Sequence, residues 1–322
     1  MQERTKLMNR GYSVVLLLSI GLTFFTGQPP IVMASVSATP STPVPTTQAC
    51  RVQTPHYNPA PHVYATDSAH TGDLTYGGGH VIDGIANVYL IYWLHRPTSH
   101  KYISLSEQFV KDFGQRSPLY MDLSQYHDSS GRCPTGARLA GTFVDTRSLP
   151  SELTDRNMTP DQANPLVDAA IRKEIADVAA KKGWNTQDYH NLYGIFYNAT
   201  AGGVCDEAYH GVLQSGSPVM FLHSCPYSPS SPHKATSTNP SPNHDKDADD
   251  LVGSFSHEFS EAVTDPLLNG WSASNGEIAD KCQPIPQPVD RQTHGDVTWH
   301  GHTYLIALEY SNRRHGCVLE GP

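Results

Sequence analysis

The stretch N-V-Y-L-I-Y-W, residues 87–93, decides the fold. It is a run of aromatic and branched apolar side chains, and it follows the glycine-containing segment Y-G-G-G-H-V-I-D-G, residues 76–84. A short apolar run of this composition, bounded by turn residues, is typical of a buried strand. We therefore predict a core strand here and assign the neighbouring elements outward from it.

Two helices are predicted after this strand. Residues 104–114 place Leu105, Phe109 and Phe113 at four-residue spacing and end at Gly114, as an amphipathic helix with a glycine stop does. Residues 164–183 begin with Asn164 as a possible cap and Pro165 in the first turn. The apolar side chains of this second segment fall on one helix face: Val167, Ala170, Ile171, Ile175, Val178 and Ala179.

Further strands are predicted at residues 192–199, 217–225 and 302–311, where apolar and aromatic side chains again form short runs. Strands and helices thus alternate along the chain. This alternation predicts an α/β (α+β) fold, a single domain with a central mixed sheet.

The first residues resemble an export signal. Basic side chains precede the apolar run 14–25, which is too short to cross a bilayer comfortably. We predict a signal peptide over residues 1–38, a Pro/Thr-rich linker over 39–73, and a globular domain over 74–320. A Pro/Ser-rich stretch at 226–247 is predicted to be a low-complexity surface loop. The mature protein is then expected to be secreted and not to associate with a membrane.

Six cysteines in an exported chain, with no C-x-x-C pair among them, predict disulfides rather than a cysteine metal site. Pairing neighbouring segments suggests Cys205 with Cys225 and Cys282 with Cys317, which leaves Cys50 with Cys133. The sequence leaves other pairings open.

The charge balance excludes one class of partner. Lys and Arg number 22 against 31 Asp and Glu, for a net charge of -9, and no basic block is present to neutralise phosphates. No nucleic acid is therefore expected as a partner. A peptide or cell-wall substrate is compatible with this charge, and the oligomeric state is left open.

The segment S-H-E-F-S-E-A-V-T-D-P, residues 256–266, predicts the end of a polar-faced helix over 249–265 that Pro266 terminates. At 100° per residue, one side of this helix is apolar. The polar side carries Ser254, His257, Glu258, Glu261 and Asp265. Its H-E-x-x-E pattern departs from the H-E-x-x-H of zinc proteases, because Glu261 stands where the second histidine is expected.

His257, Glu261 and Asp265 follow one another at four-residue spacing, so they can share one cation. The segment G-E-I-A-D-K-C, residues 276–282, offers Glu277 and Asp280 as further ligands. Zinc chemistry also needs a carboxylate that takes a proton from water, and Glu258 is the candidate catalytic base.

Three alternatives stay open from the residues alone. The carboxylates would also suit calcium, which prefers oxygen ligands. The polar stripe could be the solvent-facing side of an ordinary surface helix. Glu258 and Glu277 could form the carboxylate pair of a glycosidase.

Several segments together resemble the Exordium or phosphate-induced protein family of plants and its secreted bacterial relatives. The segments 74–93, 256–271 and 276–282 carry this resemblance, and its most specific part is the block S-H-E-x-x-E-A-x-T-D-P at 256–266 with E-I-x-D-x-C at 277–282. The segments 117–131, 143–150 and 301–319 resemble the bacterial branch, so the likeness covers most of residues 74–319.

The helix of that family looks like the active-site helix of zincin metallopeptidases. The resemblance implies roles for Glu258 as base and for His257, Glu261, Asp265, Glu277 and Asp280 around a metal. We therefore expect a secreted zinc-dependent hydrolase, a peptidase, with calcium as the other possible ion. The alternative is a non-catalytic extracellular or cell-wall-associated binding or signalling protein with a structural metal or none.

Overall fold

The computed structural model describes Cys50 and residues 72–94, 101–114, 117–155, 157, 160–197, 208–223, 241–283 and 290–321. This part of the chain contains eleven strands and four α-helices. The strands are β1 (Thr75–Tyr76), β2 (Gly84–Trp93), β3 (Pro134–Asp145), β4 (Asn191–Tyr197), β5 (Tyr209–Val212), β6 (Pro218–His223), β7 (Trp271–Ser272), β8 (Val297–Trp299), β9 (His302–Tyr304), β10 (Glu309–Ser311) and β11 (Gly316–Val318). The helices are α1 (Tyr102–Phe113), α2 (Pro118–Leu123), α3 (Pro160–Lys182) and α4 (Lys246–Thr264).

A mixed five-stranded sheet in the order β3-β2-β4-β6-β5 forms the centre of the fold. Strands β3, β2, β4 and β6 are parallel, and β5 is antiparallel to β6. Val88 of β2 pairs with Leu139 on one side and with Leu192 on the other. The predicted apolar strand is therefore an interior strand, and the predicted α/β domain with a central mixed sheet is confirmed.

Helices cover both faces of this sheet. Alternate side chains of β2 enter two separate cores, because successive residues of a strand point to opposite faces. Ile91 and Trp93 pack with α3, whereas Leu90 and Tyr92 pack with α1, α2 and α4. The result is a three-layer arrangement in which α4 lies in the same layer as α1.

The predicted apolar side of α4 packs against α1. Phe259 meets Phe113 edge to face with ring centroids 4.5 Å apart, and Phe255 lies 5.5 Å from Phe109. At the start of α4, the Asp245 side chain accepts a hydrogen bond from the Ala248 amide and so caps the helix. These contacts fix the rotation of α4, and therefore the direction in which its polar side points.

The predicted elements at 87–93, 104–114, 192–199 and 217–225 are found as β2, α1, β4 and β6, within the described residues. Helix α3 begins at Pro160, four residues before the predicted start, so the assignment of Asn164 as the cap was wrong. Two prolines could each take the first helical position, and the chain uses the earlier one. Pro165 lies inside the helix.

The single strand predicted over 302–311 was also wrong, since it is two short strands, β9 and β10, with residues 305–308 between them. The amide of Ile306 donates to the Asp296 carboxylate, and the amide of Ala307 donates to the Ser256 hydroxyl. Side chains thus take the backbone donors that a continuous strand would offer to a neighbouring strand.

The predicted low-complexity loop ends too late at 247. Residues 241–245 form a turn held by the Asp249 carboxylate, which accepts hydrogen bonds from Ser241 and Asn243, and α4 begins at Lys246. Residues 226–240 of that loop, the predicted signal peptide and most of the predicted linker lie outside the described residues.

Two of the three expected disulfides are present, Cys50–Cys133 and Cys282–Cys317. Cys205 and Cys225 lie outside the described residues. None of the helices in the described ranges combines the length and the apolar character needed to span a membrane.

Candidate metal centre

Two histidines and five carboxylates gather beside the C-terminal half of α4: His210, His257, Glu258, Glu261, Asp265, Glu277 and Asp280. Helix α4 supplies His257, Glu258 and Glu261 from consecutive turns, and Asp265 directly follows its last residue. Strand β5, at the edge of the sheet, supplies His210, which lies opposite Met220 of β6.

The segment after β7 supplies the remaining two carboxylates, Glu277 and Asp280. It is held from both sides. The Tyr310 amide donates to the Ile278 carbonyl at 2.9 Å, and the disulfide from Cys282 ties the short 3-10 helix Asp280–Cys282 to β11. The position of Asp280 therefore depends on contacts with the C-terminal strands, far away in sequence.

The first group of ligand atoms is the His257 triad, formed by His257, Glu261 and Asp280. The Nε2 atom of His257 lies 3.1 Å from Glu261 Oε1 and 3.4 Å from Asp280 Oδ1. The Asp280 amide donates to the same Glu261 oxygen at 3.1 Å. The other ring nitrogen of His257 contacts the Gln283 side-chain amide at 3.2 Å, which fixes the orientation of the ring with Nε2 toward the carboxylates.

The second group is the His210 triad, formed by His210, Glu261 and Glu277. His210 Nδ1 lies 3.5 Å from Glu261 Oε2 and 3.7 Å from Glu258 Oε2, and His210 Nε2 lies 3.3 Å from Glu277 Oε2. Sequence reasoning missed His210. The four-residue strand Y-H-G-V carries no metal-ligand spacing, and only the pairing of β5 with β6 brings its histidine to α4.

Asp265 lies outside both triads. Its Oδ1 atom accepts hydrogen bonds from the amides of Asn269 and Gly270 at 2.5 and 2.6 Å. Because these amides belong to the turn that leads into β7, the Asp265 carboxylate holds that turn against the end of α4. Its charge also reaches Glu277 and contributes to the raised pKa of that carboxyl group.

The polar side of α4 is buried. Glu258 and Glu261 are each 4% exposed and His257 is 9% exposed, so the interpretation of this stripe as the solvent-facing side of a surface helix was wrong. The side chain of Asp280, at 47% exposure, is the open member of the His257 triad. Buried polar groups are costly unless they have partners, and here the partners are one another.

The two imidazoles and Glu261 perturb one another strongly. Burial alone would lower the pKa of His210, but hydrogen bonding to Glu258 and Glu261 raises it to about 10. Burial likewise opposes protonation of His257, whereas the negative charge of Glu261 raises its pKa well above the ordinary value. Burial would raise the pKa of Glu261, yet the facing imidazoles lower it to about 2.

The other two buried carboxyl groups shift in the opposite direction. Burial raises the pKa of Glu277 to about 8, and burial also raises the pKa of Glu258. In the protein alone, protons on the imidazoles and on Glu277 therefore offset part of the negative charge. A divalent cation would replace such protons, because metal binding and protonation compete for the same atoms.

The residues present fit a zinc ion. Zinc takes imidazole nitrogen and carboxylate oxygen at roughly 2 Å in a tetrahedral arrangement, so its ligand atoms lie about 3.3 Å apart. The nitrogen-to-oxygen distances of 3.1 and 3.4 Å in the His257 triad agree with that spacing. Calcium usually takes six to eight oxygen ligands, and each triad here contains an imidazole, so the donor set favours zinc.

Comparisons with family models, with curated proteins and with solved structures found no match to this chain. The resemblance to the Exordium family therefore stays a prediction from its motifs.

Proposed function

We propose that the protein is a secreted, zincin-like metal-dependent hydrolase that cleaves peptide bonds. The observation that supports this most directly is the convergence of His257, Glu261 and Asp280 within 4.8 Å, with Glu258 adjacent on the same helix. Two disulfides and the apolar N-terminal run support export to an oxidising compartment.

In the proposed mechanism the His257 triad would hold the zinc ion. When bound, zinc supplies a Lewis acid that polarises a substrate carbonyl and makes water more acidic. Glu258 accepts the proton of the attacking water and returns it to the leaving amine. Its raised pKa, caused by burial, suits both steps, because a carboxylate of ordinary pKa returns a proton to an amine less readily.

His210 would orient the catalytic base. Its Nδ1 atom lies 3.7 Å from Glu258 Oε2, and its side chain is 6% exposed. A buried imidazole at this distance restricts the rotation of the Glu258 carboxyl group and stabilises its negative charge. The open side chain of Asp280 marks the direction from which a substrate carbonyl could approach.

One observation favours the second candidate, a non-catalytic extracellular or cell-wall-associated binding protein with a structural ion. The ligand side chains on α4 are almost entirely buried, as is typical of closed structural zinc sites, whereas catalytic sites keep an open position. The two candidates therefore differ in whether a substrate can reach the ion.

The test is the Glu258→Gln variant of the mature protein. We expect it to lose at least 100-fold of peptide-hydrolysis rate, since general base catalysis contributes about that much or more, while elemental analysis finds its zinc content unchanged. Glu107→Gln on α1 is the matched control. Glu107 pairs with Lys111 on the helix surface, so this variant should keep both activity and zinc.

The outcomes separate the candidates. Zinc in the wild type together with no cleavage of a mixed peptide library would establish the binding protein instead. Wild-type protein without bound zinc, after purification in zinc-containing buffer, would refute the hydrolase and the structural-ion alternative together. An unchanged rate in Glu258→Gln would remove Glu258 from the mechanism.

A further inference from the structure

Glu261 faces two different groups with its two carboxylate oxygens. Oε1 is directed at His257 Nε2, 3.1 Å away, and Oε2 is directed at His210 Nδ1, 3.5 Å away. A carboxylate that presents one oxygen to each of two ligand sets has the geometry of a bridging ligand in a two-metal site. The two triads share this residue and no other.

The His210 triad contains buried polar atoms that find no hydrogen bond among the described residues. They are Nε2 of His210 and Oε2 of Glu277, although only 3.3 Å separates them. The His210 side chain is 6% exposed, so water does not readily satisfy its nitrogen. Leaving a buried polar atom unpaired destabilises the folded protein, and a cation between these atoms would remove that cost.

With both imidazoles neutral and the carboxyl groups ionised, as metal binding requires, the charge of the whole cluster exceeds what one divalent ion balances. Its five carboxylates carry five negative charges when ionised, and the carboxylate of Asp265 is already stabilised by two backbone amides. In that state one divalent cation leaves three negative charges in a largely buried cluster, whereas two leave one. Buried charges without partners are strongly unfavourable.

We propose that the His210 triad is a second divalent-cation site, so that zinc forms a dinuclear centre bridged by Glu261. The proposal rests on the proposed function for the first ion, at the His257 triad. In two-metal hydrolases the ions lie about 3.5–4 Å apart and together stabilise the attacking and leaving groups.

The imidazole of His210 is oriented for this role. It can give Nε2 to an ion that Glu277 also binds, 3.3 Å away, while Nδ1 still faces the Glu258 carboxylate at 3.7 Å. A carboxylate behind a ligating histidine fixes its tautomer and makes the ligand more basic. Glu258 therefore lies where it can orient the histidine of the second site.

The test is a calorimetric titration of EDTA-stripped mature protein with zinc chloride, checked by elemental analysis after dialysis. Wild type should bind two zinc ions per chain. His210→Ala and His257→Ala should each bind one, and Glu261→Gln should weaken both sites at least tenfold. His302→Ala is the matched control, because His302 pairs with Asp112 outside the cluster, and it should bind two.

A second measurement needs no variant. Wild-type protein loaded with manganese(II) should give an electron paramagnetic resonance spectrum of an exchange-coupled pair. One zinc ion per chain, or two uncoupled manganese signals, would overturn the dinuclear centre. A His210→Ala variant that is folded, as judged by circular dichroism, and still binds two zinc ions would also overturn it.

The outcomes separate the second site from the proposed function. One zinc ion per chain with intact peptide hydrolysis would refute the second site alone, and two zinc ions without hydrolysis would refute the proposed function alone.

Discussion

The Cys282–Cys317 disulfide should influence both stability and metal binding, because it anchors the segment that carries Asp280. Cys282 lies two residues after Asp280 in the same short 3-10 helix, and Cys317 lies in β11. The double variant Cys282→Ala/Cys317→Ala removes this anchor. Both cysteines are buried, and alanine is tolerated at buried positions.

The magnitude follows from the length of the closed loop. The two cysteines are separated by 35 residues, and a cross-link of that span lowers the entropy of the unfolded chain by the equivalent of about 4 kcal/mol. The Cys50–Cys133 disulfide spans 83 residues, which corresponds to about 4.5 kcal/mol. Removing either should therefore lower the free energy of unfolding by a similar amount.

Their effects on the metal should differ. Cys133 immediately precedes β3, at one edge of the five-stranded sheet, whereas His210 lies on β5 at the other edge. Loss of the Cys282–Cys317 bridge should weaken zinc binding by about tenfold, as loss of a supporting contact around a metal ligand commonly does. Loss of the Cys50–Cys133 bridge should leave zinc affinity unchanged.

Two assays check this prediction. Urea unfolding gives the two free energies, and zinc titration of each folded variant at low temperature gives the two affinities. Equal zinc affinity in both variants would contradict the reasoning, whether it is unchanged or reduced, because the anchoring of Asp280 would then have no specific effect. An unfolding free energy unaffected by the Cys282–Cys317 change would contradict the estimate of loop entropy.

Two further predictions concern buried carboxyl groups. Burial raises the pKa of Asp122 to about 7, above an unfolded value of about 3.9, so its contribution to stability is complete at low pH and is lost as pH rises through 7. Asparagine does not ionise, so the free energy of unfolding of Asp122→Asn minus that of wild type should increase by about 2–3 kcal/mol from pH 5 to pH 8. Urea titrations at both pH values measure this difference, and the same difference at both would contradict the prediction. Asp265→Ala leaves the amides of Asn269 and Gly270 without their acceptor. This variant should lower the free energy of unfolding by about 2–4 kcal/mol in urea titrations and should bind as many zinc ions as wild type. Loss of a zinc ion would instead show that Asp265 is a ligand.

Local sequence patterns predict the part of the site that lies on α4. His257 and Glu261 are four residues apart, and helix geometry alone brings their side chains together, as the 3.1 Å contact bears out. Helix periodicity also predicts the apolar side that packs on α1. It cannot tell whether the opposite side meets solvent, because that depends on the segment after β7 and on the C-terminal strands that cover it.

Residues brought in by non-local contacts could not be predicted. His210 reaches the cluster because β5 reverses direction beside β6, and no spacing in the sequence records that pairing. The break between β9 and β10 has a similar cause, since the Asp296 carboxylate accepts a hydrogen bond from the Ile306 amide and the Ser256 hydroxyl accepts one from the Ala307 amide. Asp265 was predicted from its alignment with His257 and Glu261, but the turn after α4 provides it with amide partners instead.

The most direct test of the central claim is X-ray diffraction from crystals of the zinc-loaded mature protein, recorded on both sides of the zinc absorption edge. The anomalous difference map should show a peak about 2 Å from His257 Nε2 and Glu261 Oε1, the bond length of zinc to these atoms, with Asp280 as a third ligand. A map without a peak there, or with zinc bound only at histidines outside the cluster, would contradict the account of a metal centre on α4.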